Sequence, residues 1–330
     1  MKVEFVTDDP NRINDVRTFI NEWESDLDFI KSKTSGSTGK PKTIHLLKKH
    51  MIASAKMTGK FLNLKKNDSS LLCMSTHTIA GKMMVVRAIV LDLDLIVTDI
   101  TSTPLKNLDR QIDFAAMVPM QVENSKDNIS QIKTLIIGGG TISKLLWNFI
   151  SEMQIDAYQT FGMTETISHI AMRKITMDET NYFVLPGVEI SLKDNCMIIN
   201  APLLGVNNLQ TNDHVEIEKD GSFKWLGRRD FVINSGGIKI HPEIVEENLS
   251  GRINKPFFVI GLPDKTFGEK LVLCIEGDCV PDKSDLKLSL DKFHIPKEVY
   301  CFEKFSRTDS NKINRLKTIE RIADAKKQVL

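Results

Sequence analysis

The sequence predicts an α/β domain followed by a smaller α+β unit, and three observations carry that expectation. Short apolar, β-branched runs alternate with amphipathic stretches as far as residue 182. Beyond it the texture turns β-rich, with shorter runs separated by turn residues. A new apolar, glycine-containing segment (FVINSGGIKIHPEIVEENL) opens after residues 227–230 and begins a unit of its own.

Taken in order, Leu95 to Ile100, Phe114 to Val118, Thr134 to Ile137 and Ala157 to Phe161 are runs of strand length and composition. Before the last of them, residues 143–153 (SKLLWNFISEM) place apolar residues at helical spacing, with Thr141 or Ser143 as the N-cap. Further on, His214 to Glu218, the pair Asp220-Gly221 and Phe223 to Leu226 read as a hairpin. It ends at residues 227–230, so the domain boundary falls there, giving units 1–227 and 228–330. In the second unit, strands are expected at Phe257 to Ile260, Lys270 to Ile275 and Val299 to Phe302, then a basic helix over Lys317 to Gln328. Neither a repeat nor a low-complexity tract interrupts the chain.

Bulk properties narrow the function classes. Its 330 residues, 41% of them hydrophobic, can bury a sizeable core. Forty-four basic against 43 acidic residues leave no excess positive field for nucleic acid or an anionic membrane, so the expected partners are small molecules. Cys73, Cys196, Cys274, Cys279 and Cys301 are odd in number and scattered, which argues against a disulfide framework and against zinc. The opening MKVEFVTDDPNR is charged where a signal peptide needs an apolar run, and no stretch of about 18 apolar residues occurs. A cytoplasmic protein without a membrane span is expected.

The strongest local feature is Thr34-Ser35-Gly36-Ser37-Thr38-Gly39-Lys40-Pro41-Lys42. Glycines let backbone N–H groups approach phosphate oxygens, hydroxyls donate further hydrogen bonds and the lysines supply charge. It is not the Walker sequence, because only two residues separate Gly36 from Gly39. A Ser/Gly linker has no reason to carry Gly-Lys-Pro-Lys between apolar segments.

This loop is similar to the phosphate loop of the adenylate-forming superfamily of acyl-CoA synthetases, luciferases and peptide-synthetase adenylation domains. Further motifs resembling that family follow in its order over nearly the whole chain. The resemblance implies a large N-terminal domain of mixed sheets flanked by helices and a small, mobile C-terminal domain. It implies that Thr34, Ser35, Ser37, Thr38 and Lys42 handle the ATP phosphates, and that Gly138, Gly139 and Gly140 line an adenine pocket. In YQTFGMTE, it implies Phe161 on adenine, Thr164 near the α-phosphate and Glu165 on Mg²⁺, an ion that prefers oxygen ligands and neutralises phosphate charge. Thr211-Asn212-Asp213 resembles Thr-Gly-Asp and implies Asp213 on the ribose; asparagine tolerates the left-handed backbone that such a turn needs. Gly227-Arg228-Arg229-Asp230 implies Arg228 on ribose or phosphate, Asp230 as hinge, and Gly236 and Gly237 along the CoA channel. RTDSNKINR implies Lys312 as the adenylation lysine, with Asn311 where glycine is usual.

Between those motifs, His77-x-x-x-Gly81-x-x-x-x-x-Arg87 lies in a mostly apolar stretch suited to a buried helix. Arginine is costly there unless an anion meets it, although an arginine reaching the surface or pairing with Asp92 or Asp94 explains the composition equally well. The pattern resembles the o-succinylbenzoate-CoA ligase branch of menaquinone biosynthesis, with Arg87 on the substrate's second carboxylate and His77, Ser168 and His169 lining its pocket. A structural histidine remains an equal reading of His77. The expected reaction is 2-succinylbenzoate, ATP and CoA to the thioester, AMP and diphosphate. The alternatives are an acyl-CoA synthetase for another aryl or fatty acid, and a nucleotide-binding relic without catalysis, suggested by Asn212, Asn311 and the short segment before Thr34. A shortened N-terminal region also suggests exposed surface and a homodimer.

Overall fold

The computed structural model describes residues 1–33, 43–253, 255–277, 290–307 and 313–329. The chain opens with β1 (Val3–Phe5) and α1 (Pro10–Glu24), continues through a hairpin of β2 (Phe29–Lys33) and β3 (Thr43–Leu47), and enters α2 (Lys48–Leu62). Then come β4 (Ser69–Leu72), α3 (Ile79–Leu91), β5 (Asp94–Val97), β6 (Ile112–Met117), α4 (Pro119–Asn124), β7 (Ile132–Ile137), α5 (Lys144–Ser151), β8 (Asp156–Gly162), β9 (His169–Lys174) and β10 (Phe183–Val184). These build a mixed sheet in the order β1-β5-β4-β6-β7-β8-β9-β10, parallel through β8 and antiparallel after it.

Strand periodicity divides the sheet's side chains between two cores. Leu72, Phe114, Ala116 and Ile136 face α2 and α3, whereas Leu71, Ala115, Met117, Leu135 and Ile137 face α5. With both faces covered, the central strands β6 and β7 are largely apolar, which is why they stand out in the sequence. β5 stops at Val97, short of Ile100, because Arg12 of α1 takes over: its Nε donates to Thr98 O (3.0 Å) and its Nη2 to Leu72 O (3.0 Å). Ser143, rather than Thr141, caps α5, accepting from Leu146 N at 3.2 Å.

An antiparallel sheet follows, formed by β11 (Glu189–Lys193), β12 (Cys196–Ala201), β13 (Val206–Ile217) and β14 (Phe223–Arg228). The expected hairpin is β13 and β14. The last unit comprises β15 (Ile233–Ser235), β16 (Ile238–Ile240), α6 (Pro242–Leu249), β17 (Phe257–Asp264), β18 (Gly268–Glu276), β19 (Glu298–Phe302), α7 (Arg315–Ile319) and β20 (Lys326–Val329). Its sheet runs β16-β15-β18-β19-β20, with β17 on β18, between two cores of its own.

The expected basic helix over 317–328 is corrected. Helix ends at Ile319, and residues 326–329 form a strand antiparallel to β19. The free edge of β19 pairs their backbone groups, and Lys327 Nζ reaches Glu298 Oε1 at 2.9 Å, so tertiary pairing overrides the local helical pattern.

Beneath this sheet Glu246 accepts from Val259 N (2.7 Å) and from Arg315 Nη2 (2.7 Å). Burial outweighs the Arg315 charge and pushes its carboxyl up to about 7; burial pushes neighbouring Glu243 upward as well. The folded state thus holds a proton that the unfolded chain releases at lower pH. This contribution is complete below the ordinary carboxylate value and is lost as pH rises through about 7. Thermal melts are expected to show falling stability from about pH 5 to about pH 8. Glu246→Gln should flatten that slope; an undiminished slope would place its origin elsewhere.

Candidate active site

Chain order reverses at β4, which passes first to β5 on one side and then, through β5, to β6 on the other. In an open α/β sheet such a reversal leaves a crevice beyond the carboxyl ends of the strands. A cavity of about 720 Å³ opens there, walled by Met74 beyond β4, Met117 and Val118 at the end of β6, Gly138 and Gly139 after β7, and Thr160 and Gly162 of β8. β13 and β14 close it with Thr211, Asn212, Asp213 and Arg228.

α3 forms the inner wall. Thr78 caps it, accepting from Gly81 N at 3.3 Å, and a Cβ on Gly81 would lie 2.1 Å from the carbonyl oxygen of Ser75. Only glycine lets the helix start this close to the turn before it. Arg87 follows along the same helix, 2% exposed and lining the cavity. Its Nη2 donates to Ser168 Oγ (2.9 Å), its Nη1 approaches Met84 Sδ (3.7 Å), and its buried Nε has no hydrogen-bond partner among the described residues. The alternative ion pairs are not formed. Asp92 holds the N-terminal amine and Lys66, while Asp94 accepts from Lys2 N. Burial lowers the guanidinium to about 10, so it stays charged at neutral pH.

The second wall is the β8–β9 connection. A Cβ on Gly162 would lie 2.4 Å from both His169 Cα and Ser168 O, so glycine is what allows the chain to fold back so tightly. Thr166 braces the turn, accepting from Met163 N at 3.0 Å and donating to Ser168 O at 2.7 Å. Ile167 is held at φ +67°, a strained setting for a β-branched residue. The result puts Thr164, Glu165, Ser168 and His169 on the cavity. Burial, reinforced by the Arg87 charge, holds His169 well below the usual histidine value, so its imidazole is neutral.

The third wall corrects the sequence reading. Thr211, Asn212 and Asp213 lie within β13, not in a turn, and Asn212 is not among the left-handed residues. Its amide instead donates to the Asp230 carboxylate at 3.0 and 3.3 Å. Asp213, 5% exposed, accepts from Trp225 Nε1 across the hairpin at 3.0 Å. Arg228 Nη2 lies 3.4 Å from Asp230, which itself stays outside the lining.

Several expected residues stand elsewhere. Phe161 points its ring at Tyr182 and Phe223 (centroids 5.8 and 5.3 Å), off the cavity, because strand alternation gives the cavity side to its neighbours Thr160 and Gly162. Gly140 lies beside Pro119, outside the lining. His77 is exposed, with Nε2 3.2 Å from Asp15, so it forms neither pocket wall nor gate in this arrangement. Gly236 and Gly237 take positive φ in the β15–β16 turn, away from the cavity. Thr34, Ser35, Ser37, Thr38, Lys42, Cys279 and Lys312 lie outside the described residues.

The arrangement suits a ligand with an apolar middle and anionic ends. Arg87 sits at the buried end; Arg228 and Thr164, both half-buried, stand nearer the rim. Among the described residues no cluster of three or more metal-binding side chains exists. Glu165 and Asp213 are the carboxylates on the cavity, too few to cage a metal, which fits a Mg²⁺ ion held mainly by a ligand's phosphates.

Comparison with known proteins agrees with this geometry. The sequence pattern of the family described as AMP-binding enzyme matches residues 34–197. A solved structure from Dyadobacter fermentans, described as an acyl-CoA synthetase (AMP-forming)/AMP-acid ligase II-like protein, is 34% identical, spanning 96% of this chain and 95% of that one, with a TM-score of 0.64. The chain belongs to the AMP-binding enzyme family, and its general activity is AMP-forming ligation. More particularly, it is 27% identical to the 2-succinylbenzoate--CoA ligase of Listeria monocytogenes over 92% of this chain and 72% of that protein. The o-succinylbenzoate coenzyme A synthetase of Bacillus subtilis, solved with ATP and magnesium, shares the fold at 21% identity and a TM-score of 0.78, over 88% of this chain and 69% of that one. No helix among the described residues is long and apolar enough to cross a membrane.

Proposed function

We propose that the chain is a carboxylate:CoA ligase whose acid bears a second carboxylate, with 2-succinylbenzoate the best-fitting acid. One observation carries this reading: Arg87 is buried and charged, with Nε unpartnered and no carboxylate on it among the described residues. Such a group is costly unless an anionic ligand completes it. The names of the Listeria and Bacillus relatives support the same acid.

In this reading one carboxylate of the acid rests on Arg87 beside Ser168 and His169. Its other carboxylate attacks the α-phosphorus of ATP, forming the acyl-adenylate and releasing diphosphate. The CoA thiol then attacks the acyl carbon, losing its proton and displacing AMP. Gly138 and Gly139 border the adenine, Asp213 accepts from the ribose hydroxyls, Arg228 holds ribose or phosphate, and Thr164 meets the α-phosphate. The segment 34–42 and Lys312 supply charge to the phosphates. Glu165 would hold Mg²⁺, which neutralises phosphate charge when bound. Residues 1–227 and 228–330 act as two domains, with Asp230 as hinge and Gly236 and Gly237 along the CoA path. The decisive experiment is a coupled assay of carboxylic acids with ATP and CoA. Thioester formation is expected with 2-succinylbenzoate at the highest kcat/KM; equal turnover of benzoate or a fatty acid would overturn the dicarboxylate reading.

A further inference from the structure

A residue of α2 completes the buried end of the cavity. Thr58 is fully buried, and its Oγ1 lies 3.0 Å from His169 Nε2 and 3.0 Å from Ser54 O one helical turn earlier. A hydroxyl has one proton, and donating it to Ser54 O leaves only lone pairs facing His169. The imidazole must then carry its proton on Nε2. The cation favours the same choice, because Arg87 reaches His169 from the Nδ1 side through Ser168, where a lone pair is preferred to an N–H.

With Nδ1 an acceptor, Ser168 donates to it (3.4 Å), and Ser168 Oγ in turn accepts from Arg87 Nη2 (2.9 Å). The hydrogen bonds thus run one way: Arg87 to Ser168, Ser168 to His169, His169 to Thr58, Thr58 to Ser54. Bonds so aligned polarise one another in a water-poor interior. Arg87 is held by Nη2 on Ser168 and by Nη1 near Met84 Sδ, and its Nε is left unpartnered among the described residues.

We propose that Thr58 is a positioning residue of the acid site: as the fixed acceptor for His169 Nε2–H, it sets the direction of this chain and thereby the orientation of Arg87. The proposal rests on the reading above in that Arg87 is the group that meets the acid. Without the hydroxyl, either Nε2–H is buried unpaired or the imidazole changes tautomer. In the latter case Nδ1–H points at Ser168, whose oxygen must accept from two donors, and the seat of Arg87 changes.

The test reads both ends of the chain. Nitrogen-15 NMR of histidine-labelled protein, with His169→Gln assigning the resonance, should find His169 as the Nε2–H tautomer in the native chain without substrate. Thr58→Val, isosteric but lacking the hydroxyl, should shift the population toward Nδ1–H and raise KM for 2-succinylbenzoate about tenfold, with kcat and KM for ATP within about twofold. Thr58→Ser should restore both signatures, which a merely structural role would not require. A native Nδ1–H tautomer overturns the proposal, as does a valine variant with unchanged tautomer or acid KM. If that variant does not fold, the native tautomer decides. Because it is read with no acid added, absence of thioester from every acid would overturn the proposed function and leave the tautomer result standing.

Discussion

Replacing Arg87 with methionine is expected to lower kcat/KM for 2-succinylbenzoate about 10³-fold, chiefly through KM, while an aryl monocarboxylate loses less than about tenfold. Removing one partner of a buried, hydrogen-bonded charge pair costs about 2–5 kcal/mol, and each 1.4 kcal/mol is about tenfold. Stability should move the other way. In the free protein the guanidinium has Ser168 and Met84 as its contacts and a buried, unpartnered Nε. A flexible apolar side chain of similar length relieves that burial, so the melting temperature should hold or rise. Lost activity with retained stability is the signature of a residue kept for its ligand. Equal losses on both acids together with a falling melting temperature would make Arg87 a structural residue.

Lys312→Ala should cut substrate-dependent ATP–diphosphate exchange by about 10²–10³-fold, the scale of removing one charge-stabilising group from a transition state. Thioester formation from supplied acyl-adenylate and CoA should stay within a few-fold. The asymmetry follows from the proposed role, because the ammonium acts while negative charge gathers around the α-phosphate and not when the thiol attacks. Lys312 lies outside the described residues, but Arg307 and Ile313 on either side of 308–312 are bridged, and Arg307 is held 3.2 Å from Glu276. Ile313 packs against the C-terminal core and Arg307 is tied to it by that ion pair, so truncating the lysine should spare the fold. Equal loss of both half-reactions would contradict the role.

What the sequence made legible follows from where each signal resides. β6 and β7 were readable because parallel strands covered on both faces are largely apolar, and Arg87 was conspicuous as a charge in an apolar helix. Phe161 stands off the cavity because a motif gives residue order but not the strand face, and Asn212 runs extended where a likeness to a glycine motif implied a turn. His77 and the strand at 326–329 depended on partners distant in sequence, Asp15 and β19. Thr58 gave no signal. In a helix it reads as a mediocre helix former, and its meaning arises only from a histidine 111 positions away.

The β2–β3 hairpin has a consequence in polymer terms. Its register pairs Lys33 with Thr43, the residues flanking segment 34–42. Bringing together the ends of a nine-residue chain costs about 2 kcal/mol of loop-closure entropy. The hairpin meets that cost once, as the protein folds. Any ordering of the segment around an anion therefore starts from a closed loop, and a correspondingly larger share of the binding energy remains for the anion itself.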